Sequence, residues 1–183
     1  MPISHIDVVQ LQTINGRHRM SALTLIKILD ELEILEYNGW IHPFFLSDPL
    51  EDPRMMSIVN VIKHSLLDCK VRMDINSSSL PQFGGIGRLL GWGVDDIRVD
   101  TDKAVNKKHS KCPHFSNKLA FWYNGDMVLC CCDSNHDIVF GNIYDRGGLE
   151  SLLKSSDYQL YLTQHRTGWV KQFKLCSECN LLK

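Results

Sequence analysis

Apolar and polar positions along this chain change period several times, and each change marks an element. Ile6–Thr13 (IDVVQLQT) carries the β-branched apolar run of a buried strand. A polar turn over Asn15–Arg19 leads to Ser21, an N-cap residue. Beyond it Leu25, Ile28, Leu29, Leu32 and Leu35 share one helical face, with Asn38-Gly39 as the stop. Trp40–Leu46 predicts a second strand, limited by Pro43, which has no N–H for a ladder. Pro53 suits the first turn of a helix running to about Leu67, with Met56, Ile58, Val59, Val61 and Ile62 turned inward. Lys70–Ile75 reads as a third strand, Ile86–Leu90 as a short helix in a glycine-rich stretch, and Asp95–Asp100 as a fourth strand. Strands alternating with helices imply βαβ units and a mainly parallel sheet.

After the polar stretch Thr101–Ser110 the pattern is different. Two alternating runs, Lys118–Tyr123 and Asp126–Cys131, flank Asn124-Gly125, the sequence of a type I′ hairpin turn. A short strand at Ile138–Phe140, a corner at Gly141-Asn142 and one or two helices within Leu149–His165 follow. The change of pattern places a domain boundary near residue 105, dividing the chain into residues 1–105 and 106–183.

The candidate chemistry lies in the second part. A hairpin brings its strand ends together, so Cys112, before one strand, approaches Cys130 at the end of the other. Cys176-Ser-Glu-Cys179 adds a knuckle that puts two thiolates on one metal or cluster. On a strand Cys130 and Cys132 share a face, which makes Cys132 the substitute ligand and turns Cys131 away. His109 and His114, flanking Cys112, read as surface or packing residues first and as alternative ligands second. Four thiolates serve a [4Fe–4S] cluster or Zn²⁺. Seven cysteines without a secretory leader fit a reducing cytoplasm, where clustered thiols are metal ligands more often than disulfides. Cys69 reads as core.

Composition removes other classes. Twenty basic and twenty-one acidic residues give a formal charge of −1, which offers no electrostatic case for nucleic acid or an anionic membrane. No apolar run approaches the roughly 20 residues of a membrane span. Asp95, Asp96, Asp100 and Asp102 alternate with Arg98 and Lys103 as a charge-balanced solvated strand, not a cation site. Ser47 and Asp48, just past a strand end, read either as the lining of a pocket, since parallel sheets bind ligands there, or as a polar turn before Pro49.

The motif Cys112-x12-Gly125-x4-Cys130, the end Cys130-Cys-Cys-Asp133, the segment Phe140-Gly-Asn-Ile143 and the pair Cys176-x2-Cys179 resemble the SPASM or twitch domain. That domain is the auxiliary iron–sulfur module of radical S-adenosylmethionine enzymes. Ser47-Asp-Pro-Leu50 stands where the family has Gly-Glu-Pro-Leu, which contacts the cofactor's amino group. Ile75-Asn-Ser77 stands where it has Thr-Asn-Gly. The resemblance implies a partial (β/α) barrel of about four strands followed by a small Cys-rich hairpin-plus-helix domain. It also implies cluster ligation by Cys112, Cys130, Cys176 and Cys179. One departure is large. The family's catalytic cluster is held by Cys-x3-Cys-x2-Cys after the first strand, and here Ile14–Met20 (INGRHRM) has no cysteine.

Two functions from different classes follow. One is an iron–sulfur protein derived from these enzymes and unable to cleave S-adenosylmethionine alone, its cluster serving electron transfer, substrate binding or structure. The other is a non-catalytic partner-binding module with a Zn(Cys)4-stabilised tail. In either, a protein partner or self-association covers the open edges of a truncated barrel.

Overall fold

The structure is a computed structural model and describes residues 3–100, 112 and 115–179. Its strands are β1 (Val8–Leu11), β2 (Ile14–Asn15), β3 (His18–Arg19), β4 (Trp40–His42), β5 (Lys70–Asn76), β6 (Asp96–Asp100), β7 (Lys118–Phe121), β8 (Asp126–Val128) and β9 (Val139–Asn142). Its α-helices are α1 (Ala22–Ile34), α2 (Met55–Ser65), α3 (Ile86–Gly91), α4 (Gly148–Lys154), α5 (Ser156–Thr167) and α6 (Lys174–Ser177).

Seven strands form one sheet in the order β6-β5-β4-β1-β7-β8-β9. The first five run parallel; β8 and β9 are antiparallel additions. The Cys-rich hairpin therefore does not start a separate sheet. It enters beside β1, with Val9 opposite Leu119 and Leu11 opposite Phe121. The stretch holding the expected boundary near residue 105 lies outside the described residues. Among those described, β6 and β9 form the sheet edges.

Alternation sorts the two faces of the sheet. Val9, Leu11, Ile41, Val71, Met73, Ile75, Leu119, Phe121 and Met127 join the main core with the buried stripes of α1 and α2. Ser21 caps α1 as its position predicts, its Oγ accepting from Thr24 N at 3.0 Å. The next helix differs in register. Met55, Ile58, Val59 and Ile62 face inward, while Met56 is 46% exposed. Asp52 caps this turn through Arg54 N, so α2 begins two residues past Pro53 and its inward face shifts by one position.

The second strand stops at His42, where Pro43 ends the ladder. The predicted hairpin forms, with another turn. Gly125 alone takes a positive φ (+92°), and its N–H donates to Trp122 O at 2.9 Å. Asn124 keeps a negative φ and spends its side chain on Asp126, so the loop is a type I turn closed by a left-handed glycine. A Cβ on Gly125 would stand 2.8 Å from Ile143 Cγ2, a second reason for glycine. Helix α1 also anchors the C-terminal part: Glu31 accepts from Leu149 N at 3.0 Å, and Thr24 Oγ1 meets Tyr144 OH at 3.2 Å.

Candidate metal centre

The cysteines approach one another from three segments. Cys112 precedes β7, Cys130–Cys132 form a turn after β8, and Cys176 and Cys179 lie on and just after α6. Because β8 ends at Val128, strand alternation does not govern the three adjacent cysteines. Their turn is pinned by Asp133. This fully buried carboxylate accepts from Asp137 N at 2.8 Å and Ile138 N at 3.0 Å, while its own N–H donates to Cys130 O at 3.1 Å. Nothing in sequence spacing marked Asp133 beyond its place at the end of the Cys-Cys-x-Asp motif.

Cys176 is the buried member of the set. Burial first, then the negative charges that Cys112, Cys179, Cys132 and Asp133 would bring, push its thiol up to about 12. Cys132 also hydrogen-bonds the side chains of Cys130 and Cys131, and with burial this holds both thiols well above the ordinary range. Cys112, Cys132 and Cys179 are thus the thiols whose charge bears on Cys176, and Cys132 bears on Cys130 and Cys131 as well. A soft cation is what converts such thiols to thiolates. The donor chemistry fits an iron–sulfur cluster. Among the described residues, no three His, Cys, Asp or Glu side chains close to the spacing of a single ion.

His165 is a neighbour that sequence spacing missed. Its Nε2 lies 3.5 Å from Cys176 Sγ and its Nδ1 lies 2.7 Å from Tyr161 O. Burial depresses its basicity. The helical positions 158, 162 and 165 share a buried face, the one signal that could have found it. The alternatives His109 and His114 lie outside the described residues. Cys69 is core, donating to Tyr37 O at 3.3 Å.

Ser47 and Asp48 stand past β4 with their oxygens engaged. Ser47 Oγ donates to Ile14 O and accepts from Gln12 Nε2, both at 3.0 Å, and Gln12 Nε2 also donates to Ile14 O. Asp48 caps Leu50 N at 2.8 Å and accepts from Asn76 N at 3.0 Å. The cysteine-free segment after β1 folds as the small β2–β3 hairpin. Arg54 ties it down by donating to Thr13 O at 3.1 Å and Met20 O at 2.7 Å.

Residues 112–180 match the SPASM family, an iron-sulfur cluster-binding domain. No curated protein matches the chain. Among solved structures, the chain resembles selenomethionine BtrN in an open conformation. The TM-score is 0.81 at 16% identity, covering 96% of this chain and 92% of that one. BtrN in complex with AdoMet and 2-DOIA matches with a TM-score of 0.73 at 13% identity, covering 96% and 93%. At these identities the likeness is one of fold. The C-terminal third of this chain thus matches the SPASM iron-sulfur cluster-binding domain, and the α/β fold that carries it is shared with BtrN.

Proposed function

We propose that this chain is an iron–sulfur protein that binds one [4Fe–4S] cluster through Cys112, Cys132, Cys176 and Cys179 and does not itself cleave S-adenosylmethionine. What supports the reading is the match of residues 112–180 to the SPASM family, with Cys132 among the groups whose charge reaches buried Cys176. Bound there, the cluster supplies one-electron chemistry. The chain's own residues hold it: Asp133 shapes the turn that presents Cys132, and α6 presents Cys176. The second half of the proposal rests on the segment after β1. It has no thiol for a catalytic cluster, and Gln12, Ser47 and Arg54 fasten it across the strand ends. Ser47 and Asp48 spend hydrogen bonds on Ile14 O, Leu50 N and Asn76 N, which fix the loop after β4.

Anaerobic purification with iron, sulfide and zinc analysis tests this. Iron and sulfide near four per chain, with a broad band around 400 nm, is roughly the expectation for one thiolate-bound cubane. One zinc and no colour would refute it. Cys132→Ala and Cys176→Ala should lose the cluster while Cys130→Ala retains it. The opposite result for the two turn cysteines would restore Cys130 as the ligand.

A further inference from the structure

A cavity of about 630 Å³ opens where α1 and α2 end. Glu33, Glu36 and Asp68 line it, all three exposed, and Leu67, 81% exposed, forms part of its wall. Its described lining holds no lysine or arginine. None of the three carboxylates has an ion-pair partner among the described residues. The carbonyl ends of the two helices add their negative potential to that of the carboxylates, and α1 has no basic residue in its last turn to offset it. Glu36 takes a positive φ (+53°) directly after the α1 C-cap, a position where glycine is the usual residue. Such a cavity suits a cationic group with an apolar body.

The chain displays such a group nearby. Gly168 ends α5 in the left-handed region, and Trp169 N donates to Gln164 O at 2.9 Å. Val170 anchors this loop in the core, yet Trp169 beside it is 74% exposed. Arg166, Lys171 and Lys174 flank it in sequence, exposed and likewise without ion-pair partners among the described residues. An indole is large and rigid, so an exposed tryptophan on a fixed backbone among cations is suited to anchor a protein contact. Patch and cavity both adjoin the N-terminal segment: Ile3 and Ser4 line the cavity, and the charge of Arg166 reaches His5. Within one chain the two do not meet, because Trp169 stays exposed. Across a two-fold axis beside that segment, each patch faces the cavity of the other copy.

We infer that this chain pairs with a second copy of itself, Trp169 and its flanking cations seating in the cavity of Glu33, Glu36 and Asp68 on the other copy, twice over. The contact uses none of the cluster thiols and is independent of what they hold.

Sedimentation velocity of the full chain as purified tests this. Two indoles and a few ion pairs make a small interface, so a reversible dimer with a dissociation constant on the order of 10 µM is expected. Raising NaCl from about 0.05 M to about 0.5 M should weaken it roughly tenfold, because these exposed charges are screened. Trp169→Ala should leave monomers. Lys171→Glu and Glu36→Lys should each weaken the dimer by at least about tenfold, since like charges then meet at both contacts. Mixed together, these two variants should dimerise again, each supplying the sign that the other lacks. Thermal unfolding of each variant separates lost pairing from lost fold, and the salt dependence of the wild type reads the contact without any substitution. A wild type that stays monomeric up to about 500 µM, some fiftyfold above the expected constant, overturns the inference. So does a dimer indifferent to salt, one that survives in Trp169→Ala, or a pair of charge variants that do not rescue each other.

Discussion

Replacing Arg54 by alanine should unfasten the segment after β1. The guanidinium grips Asp52 through Nε at 2.9 Å and Nη2 at 2.8 Å, and reaches across to Met20 O at 2.7 Å and Thr13 O at 3.1 Å. Asp52 has no exposed surface. Burial alone would raise its pKa, but the Arg54 hydrogen bonds and charge, helped by Arg19, outweigh this and hold it below the usual carboxylate range. Removing the arginine strands a buried carboxylate, a change that costs about 3–5 kcal/mol, and leaves two carbonyls to find water. Arg54 itself is about one-third exposed, so solvent reaches part of the gap and the lower end applies. We expect a loss of about 3 kcal/mol at pH 7, or a fall in Tm of roughly 6–12 °C for a chain of this size.

The pH dependence supplies the check. In the wild type the depressed Asp52 pKa stabilises the fold above the ordinary carboxylate pKa, and that stability is lost as pH falls through the folded value. In Arg54→Ala the unpaired carboxylate is penalised only while charged, so its pKa rises and protonation relieves the cost. The gap between variant and wild type should therefore narrow from pH 7 to pH 4. Urea unfolding across that range, with Asp52→Asn/Arg54→Ala as the charge-free comparison, measures it. A cost below about 1 kcal/mol at pH 7 would match an ordinary surface pair and refute the reasoning. So would a gap that does not change with pH.

Two other expectations concern stability. Gly125→Ala forces a side chain onto a φ of +92° and against Ile143, so it should cost about 1–3 kcal/mol; a variant with an unchanged urea midpoint would show that the turn relaxes. His42, depressed to about 4 from 6.5 by burial and by the charges of Arg72, Lys118 and Arg98, stays neutral in the fold while the unfolded chain takes up a proton. Stability should thus fall as pH drops from 6.5 towards 4, by at most about 3 kcal/mol from this group. His42→Gln should flatten that slope, and an identical slope in the variant would remove His42 as its source.

The helices and strands of the first hundred residues were legible because each carries its own period. Leu25, Ile28, Leu29 and Leu32 point one way, and they are buried together. Where capping decided the boundary, periodicity misjudged it: Asp52 starts the turn before α2, and Met56 falls outside the core. The hairpin was legible from Asn124-Gly125, but the turn type was not, because the choice depends on Ile143 and Asn142 packing against it from far along the chain. The candidate thiols were named from their spacing and from the resemblance it carries. Strand alternation could not rank the three adjacent thiols, since they sit in a turn pinned by Asp133 and not on a strand. His165 stayed hidden because it meets Cys176 only through the packing of α5 against α6.

Strand register also decides what the cluster domain is attached to. Strand β7 pairs with β1, the strand from which the cysteine-free segment leaves, and β1 in turn pairs with β4. Helix α1, which begins just after that segment, carries Glu31 to the N-terminus of α4 and Thr24 to Tyr144. A thiol site on Cys112 and the turn after β8 is therefore braced by the central strand and first helix of the sheet, not by a tail alone. Loss of the metal should then be felt in β1 and α1 as well as around α6, because β7 cannot leave without exposing both Leu119 and Phe121. Hydrogen exchange on the loaded protein and on Cys176→Ala separates the cases. Faster exchange at Val9 and Leu11 in the variant means that one cooperative unit spans the sheet. Acceleration confined to residues 170–179 would mean that the thiol turn unfolds locally, and that the shared sheet is indifferent to what its cysteines hold.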